Sequence, residues 1–353
     1  MSHVAGVDPG TVSFDVCVLD DGDVILERSF STEDVGADPE PLVETLVGHG
    51  PFDLVLGPAG YGLPLVAAED VGDRELELMI LVRADEPHGR AGVGGMRSII
   101  RALIAAGLPL VFGPGAIHLS TIPAHRKWNR IDLGTADKVA SAALCIADQS
   151  RRLGVDFPET SFVMLELGGA FSAALAVDGG RIVDGLGGSA GPIGARACGS
   201  LDAEVAYLLG GALSKRTVFS GGALDPRGEL DLSTGLDALR SDPQHRDGWL
   251  ALEEGAAKAA LALTVSAPAP REIIVAGRLA HAPGVLDALG ERLAAVAPVR
   301  LVAKAAAQGA AVLADGLAGG RYAALVECMG VRDASGSALD QLRIYGAERI
   351  RLR

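Results

Sequence analysis

Phe162-Val-Met-Leu-Glu166-Leu-Gly168-Gly169-Ala-Phe-Ser172-Ala, running on to Val177-Asp178-Gly-Gly180-Arg-Ile-Val, is the stretch whose reading decides the fold. An apolar run ends in a carboxylate, two glycines follow, a second alternating run begins, and Asp-Gly-Gly introduces a third. That order spells strand, tight turn, strand, hairpin turn, strand. The chain opens with the same grammar: Val4-Ala-Gly-Val-Asp8-Pro-Gly10-Thr11, then Phe14 to Leu19, Asp20-Asp-Gly22, and Val24 to Leu26. Laying Asp8 on Glu166 also lays Gly10 on Gly168, Asp20 on Asp178 and Gly22 on Gly180. A single copy reads equally as an ordinary glycine hairpin, but two copies in register mark an internal duplication.

The duplicated residues suit anion chemistry. Glycine lets the backbone approach a ligand closely, and hairpin amides that point outward can cradle phosphate. A carboxylate just before such a turn can hold Mg2+ through water, because that ion keeps much of its hydration shell. Two hairpins face to face would clamp a nucleotide's phosphates between two lobes.

Composition bounds the rest. The 353 residues are enough for two domains, and with 49% hydrophobic but only 4% aromatic residues the core must be built from Ala, Val and Leu. No apolar run has the length and purity of a membrane span, and no basic-then-apolar leader opens the chain. The expectation is a cytoplasmic enzyme. Cys17, Cys145, Cys198 and Cys328 form no CxxC pair and read as reduced thiols, the first two in the core. A net charge of -14 argues against a nucleic-acid partner.

In order, Pro39 to Gly48 has helical spacing, and Asp53 to Gly57 reads as a buried strand before the loop Gly57-Pro-Ala-Gly60-Tyr-Gly62. Residues 63–107 read as an insertion carrying the glycine-rich loop Glu86 to Arg97, whose Arg90 and Arg97 precede a helix from Ser98. That loop is either an anion site or a solvated surface. Ile122 to Lys138 crowds His125, Arg126, Asn129 and Arg130 beside Thr135, a helix N-cap, and Asp137 in the first helical turn. Gly185 to Gly199 is glycine-rich and includes Ser189 and Arg196, which could touch phosphoryl oxygens or simply sit in a pliable loop. A second insertion is expected at 215–247, a strand from Glu272 breaks at Gly277-Arg278, and Ala305 to Leu317 is the last core helix. The tail from Gly319 predicts a short helix and a strand over Gln341 to Tyr345.

These motifs resemble those of the acetate and sugar kinase, Hsp70 and actin superfamily. Gly6-Val-Asp8-Pro-Gly10-Thr11 is similar to its first phosphate motif and Leu165-Glu166-Leu-Gly168-Gly169 to its second. Val275-Ala-Gly277-Arg278 is similar to the adenosine motif, and Ala306-Ala-Gln308-Gly309 to the second connecting segment. More narrowly, Ile131 to Lys138 and Gly188 to Pro192 resemble a prokaryotic family labelled butyrate kinase-like.

The resemblance implies an α/β protein of two duplicated RNase H-like lobes, at residues 1–153 and 154–353, with a nucleotide cleft between them. It implies ATP and Mg2+ as cofactors and a small-molecule acceptor such as a short carboxylate. By position Asp8 and Glu166 would meet the metal. Gly10, Thr11, Gly168, Gly169 and Ser172 would meet phosphate, and Gly277 and Arg278 adenosine. Asp8, Asp137, Arg126 and Arg196 would take catalytic roles. Glu166 departs from the usual Asp of the second motif. A homodimer is also an expectation of the resemblance. An ATP-hydrolysing switch on the same fold is the alternative function, and a nucleotide binder without turnover a third.

Overall fold

The computed structural model describes residues 1–86, 93–230, 235–303 and 306–353, with only the backbone of residues 93 and 94. Arg90 therefore lies outside the described residues. The first half runs β1 His3–Pro9, β2 Ser13–Asp20, β3 Asp23–Ser31, α1 Thr32–Ala37, α2 Glu40–His49 and β4 Leu54–Gly57. It continues with β5 Val66–Ala67, α3 Asp73–Ile80, α4 Val93–Ala105, β6 Leu110–Phe112, α5 Ala124–Lys127 and α6 Ala136–Leu153. The second half runs β7 Ser161–Leu167, β8 Ser172–Asp178, β9 Arg181–Leu186, α7 Ala203–Leu209, α8 Lys215–Val218, α9 Leu236–Ser241 and α10 Arg246–Leu263. It closes with β10 Glu272–Ala276, α11 Val285–Leu293, β11 Val299–Leu301, α12 Ala306–Leu317 and α13 Ala323–Met329.

The strands form two mixed sheets, β3-β2-β1-β4-β6-β5 and β9-β8-β7-β10-β11. Without the edge strand β5 the two orders are the same, so the duplication read from the hairpins extends to whole sheets. It also reaches local detail. The β2–β3 register shifts between Val18 and Leu19, and the β8–β9 register between Ala176 and Val177. These are equivalent positions when Asp8 is laid on Glu166. Both hairpin turns use left-handed backbone, with Asp21 and Gly22 at φ 50° and 81° and Gly179 and Gly180 at 60° and 68°. Paired left-handed residues match the twist of two-residue hairpins.

Five layers stack around these sheets. The outer face of the first sheet is covered by α2, α3 and α4 through Leu42, Leu76, Ile100 and Leu103. The outer face of the second is covered by α10 and α11 through Trp249, Leu252, Leu263 and Leu289. One continuous core joins the two inner faces: Val4, Cys17, Leu56 from one sheet and Phe162, Met164, Val177 from the other, with α6 and α12 between them.

Small residues make that middle layer thin. A Cβ on Gly309 of α12 would collide with the Ala140 carbonyl of α6, and one on Gly6 of β1 with the α12 backbone at Ala311. Helix α12, from the end of the second half, thus rests directly on β1, β2 and β4 of the first. α6 is capped at its end by Gly154 in the left-handed conformation, φ 63°, where a side chain would be strained.

The tail departs from expectation. Gln341 to Tyr345 forms no strand; the Gln341 carbonyl and Arg343 amide instead bond Asn129, whose φ is 56°. The chain then crosses to the first insertion, where Leu352 pairs with Arg83 and the Arg353 amide donates to the Val82 carbonyl. Among the described residues no helix is long and apolar enough to cross a membrane.

Candidate functional site

Three elements end at one place. β1 delivers Asp8, β7 delivers Glu166, and the first turn of α6 delivers Asp137 and Lys138. Lys138 is the centre: its ammonium donates to Asp137 and, at 2.5 Å, to Glu166 Oε1. The other Glu166 oxygen accepts from Ser141 Oγ at 2.9 Å, one turn further along α6. Thr135 stands at the N-cap position, yet its hydroxyl donates to Asp137 Oδ1 at 2.5 Å rather than capping a backbone amide. The expected capping bond is replaced by a bond that orients a carboxylate.

Asp8 differs from its neighbours. Its Oδ1 is buried without a hydrogen-bond partner. Burial pushes its carboxyl well above the ordinary range, and Asp137, Glu166 and Asp15 push the same way against the pull of Lys138. Burial also acts on Asp137, but the ammonium of Lys138 and the Thr135 hydroxyl outweigh it and hold that carboxyl low. Lys138 is held above its usual range despite burial, because Asp137, Glu166 and Asp8 surround it.

The glycine turns meet across the lobes. A Cβ on Gly169 would come within 2.8 Å of Val12 in the first turn. The Gly168 amide donates to the Phe171 carbonyl, closing the second turn. Gly277, at φ 89°, sits against the Leu167 backbone, so the β10 break lies beside the second turn. Four of the five orphaned buried polar atoms among the described residues are Asp8 Oδ1, Asp15 Oδ1, Ser172 Oγ and Arg278 Nε. Asp15 pairs with Asp8 across the first hairpin. Thr11 is exposed in the first turn, and Gly10 accepts from Thr32 Oγ1 through its carbonyl.

The remaining candidates have other partners, although Arg196 stands beside the second glycine turn, its amide donating to the Ala170 carbonyl at 3.1 Å. Arg126 donates to the Val183 carbonyl at 2.7 Å and lies 3.8 Å from Asp184, tying α5 to β9. Arg196 is bonded to Asp225 at 2.8 Å and to the Leu230 carbonyl, which fixes the second insertion. Arg97 donates to the Arg353 carbonyl, while His125 and Arg130 are exposed. Lys138, Asp15 and Ser141 were not singled out by the sequence reading. The signal available for Lys138 was its place directly after Asp137, in the first turn of a helix aimed at the duplicated carboxylates.

Among the described residues no three His, Cys, Asp or Glu side chains converge to cage an ion directly. Mg2+ that keeps its waters needs only one or two carboxylates, and the unshared oxygen of Asp8 offers one. Glu166 spends both oxygens on Lys138 and Ser141.

Two sheets of the same strand order, joined through a shared helical layer, place the chain in the class of two-lobed α/β proteins with the acetate kinase and actin-like ATPase fold. It is similar to an acetate kinase from Porphyromonas gingivalis at 14% identity and TM-score 0.60, covering 89% of this chain and 99% of that one. Similar too are a propionate kinase from Francisella tularensis, at 12% and 0.61 over 88% and 98% of the two chains, and the acetate kinase of Entamoeba histolytica, at 13% and 0.55 over 83% and 86%. No curated protein matches. The chain belongs to the family described as protein of unknown function DUF1464, which it matches over residues 6–344.

Proposed function

We propose that this protein is an ATP- and Mg2+-dependent phosphotransferase acting on a small molecule, with a short-chain carboxylate such as butyrate as the acceptor class. The observation that carries this reading is the set Asp8, Asp137, Lys138 and Glu166, gathered beside two glycine turns that touch through Val12 and Gly169. The fold's likeness to acetate and propionate kinases supports the acceptor class.

ATP would lie along the turns at Gly10, Thr11, Gly168, Gly169 and Ser172, with adenosine toward Gly277 and Arg278. Mg2+ would be held through Asp8 and water, and supplies charge neutralisation when bound. Lys138, fixed by two carboxylates, holds a positive charge in a part of the molecule shielded from water, where preorganised charge is most effective. Phosphoryl transfer depends mainly on such positioning and electrostatics. A carboxylate acceptor carries no proton to remove at neutral pH, so Asp8 would orient rather than deprotonate. A hydroxyl acceptor would need Asp8 as a base.

The test is ADP release from ATP and Mg2+ with a panel of short carboxylates and polyols, repeated with Asp8→Asn. Turnover that requires one carboxylate and vanishes in the variant supports the reading. Turnover indifferent to every acceptor supports the ATP-driven switch instead, and nucleotide binding without turnover overturns both.

A further inference from the structure

Away from the Asp8 cluster, the two insertions and the glycine-rich loop meet at one lysine. Lys215 Nζ donates to the Tyr61 hydroxyl at 3.2 Å and the Leu81 carbonyl at 3.1 Å, and lies 4.7 Å from the centre of the Tyr61 ring. Its own backbone amide donates to Glu86 Oε1 at 2.8 Å. Yet the ammonium forms no ion pair among the described residues. The carboxylates that could have served are engaged. Asp132 gives Oδ1 to the Gly134 amide and Oδ2 to the amide and hydroxyl of Ser189. Glu86 faces Arg83 at 3.6 Å.

An ammonium withdrawn from water without a counter-ion is costly, and such charges are ordinarily paired. Two of its three donors are used, and the third has no partner among the described residues. The surroundings are aromatic. The ammonium lies 5.9 Å from the Phe219 ring, and Phe219 packs edge-on against Phe171 at 4.9 Å. Phe171 belongs to the second glycine turn, since its carbonyl closes that turn. Burial keeps the Tyr61 phenol protonated, so its hydroxyl can both accept from Lys215 and donate to a ligand.

We propose that Lys215 and Tyr61 form a binding site for the carboxylate of a small monocarboxylic acid, whose apolar body lies on Phe219 and Phe171. One ammonium and one neutral hydroxyl match a monoanion, whereas phosphate is commonly met by forked guanidinium groups or several donors. Calling this ligand the phosphoryl acceptor rests on the function proposed above. The binding itself does not.

Burial lowers the Lys215 ammonium to about 8, with Asp132 and Glu86 pulling it back up. A bound carboxylate should raise it again, and that gives a readout that needs no turnover. The full-length chain, without nucleotide, is labelled with trace acetic anhydride across pH 6–10 and the Lys215 peptide is quantified by mass spectrometry. Butyrate is expected to cut Lys215 labelling about fivefold at pH 8 and to move its midpoint upward by about one unit, with other lysines unchanged. Butanol should do neither.

Direct titration with butyrate should show binding weakened at least tenfold in Lys215→Gln and partly restored in Lys215→Arg, with melting temperatures confirming that both fold. Equal protection by butanol, stronger protection by inorganic phosphate, or unchanged butyrate binding in Lys215→Gln would overturn the site. If butyrate protects Lys215 but no carboxylate supports ADP release, the site stands and the kinase reading falls. If carboxylates are phosphorylated with Lys215 unprotected, the reverse holds.

Discussion

The two glycine hairpins share strand order, bulge position and turn geometry, but their carboxylates live differently. Glu166 has both oxygens bonded, to Lys138 and Ser141, while Asp8 keeps a buried oxygen with no partner. Duplication supplied two equivalent positions, and the copies then divided the work. One carboxylate fixes a cation in place, and the other keeps an oxygen unshared. The extra methylene of Glu166 has a physical use in this division, since it lets one carboxylate reach Lys138 and Ser141 on two successive parts of α6.

The largest expected effect separates these roles in activity. Asp8→Asn should lower turnover by about 10²–10³-fold, measured as ADP release, yet leave the chain folded. Its melting temperature should rise by a few degrees, because a buried carboxylate crowded by three acids is replaced by a neutral amide. The sign follows from the raised carboxyl of Asp8. Its proton favours the folded state at low pH, and that stability is lost as pH rises through the raised value. The variant should be free of this dependence.

Glu166→Gln should do the opposite to stability. Removing one partner of a largely buried ion pair costs about 3 kcal/mol, so chemical denaturation should show the variant clearly less stable than wild type. If Asp8→Asn and Glu166→Gln moved stability in the same direction, the division between the hairpins would be wrong.

A smaller effect probes the contact between the turns. Gly169→Ala places a methyl against Val12 and should slow turnover by about tenfold, and Val12→Ala in the same chain should recover most of it. Neighbouring residues typically couple by about 0.5–3 kcal/mol, so a double-mutant cycle without coupling would argue that the turns do not press together in the working protein.

The smallest effect isolates an unrelated titration. His118 is buried away from both turns, and burial lowers its imidazole to about 4 although its Nδ1 bonds the Gly115 carbonyl at 3.2 Å. A lowered histidine contributes stability that is present above its unfolded value near 6.5 and lost as pH falls toward 4. His118→Asn, which can keep the carbonyl bond, should flatten the melting temperature over that window by a few degrees while leaving the dependence due to Asp8 unchanged.

Much of this was legible in the sequence, because backbone geometry leaves marks on residue type. Gly22 and Gly180 announce left-handed turns, and Asp8 and Glu166 stand out as carboxylates closing apolar runs. Ser172 and Arg278, chosen by position, carry orphaned polar atoms in the structure. Partnership leaves no such mark. Arg126 and Arg196 read as phosphate ligands because they sit in glycine-rich or basic stretches, yet each is bonded to residues far along the chain. Lys138 was passed over for the same reason, since the carboxylate that gives it meaning lies 28 residues away. Likewise nothing in Gln341 to Tyr345 says that Asn129 will take up its backbone groups.

Helix α12 has a consequence for how the protein is made. The first sheet is complete by Phe112, but the helix that covers its inner face begins at Ala306. At elongation rates of about 5–20 residues per second, roughly 10–40 s of synthesis separate the two. During that interval Val4, Leu19 and Leu56 lack the α12 side of their packing, and the newborn first half is not yet a finished domain. The two halves then mature together, late, when the closing helix slides between them.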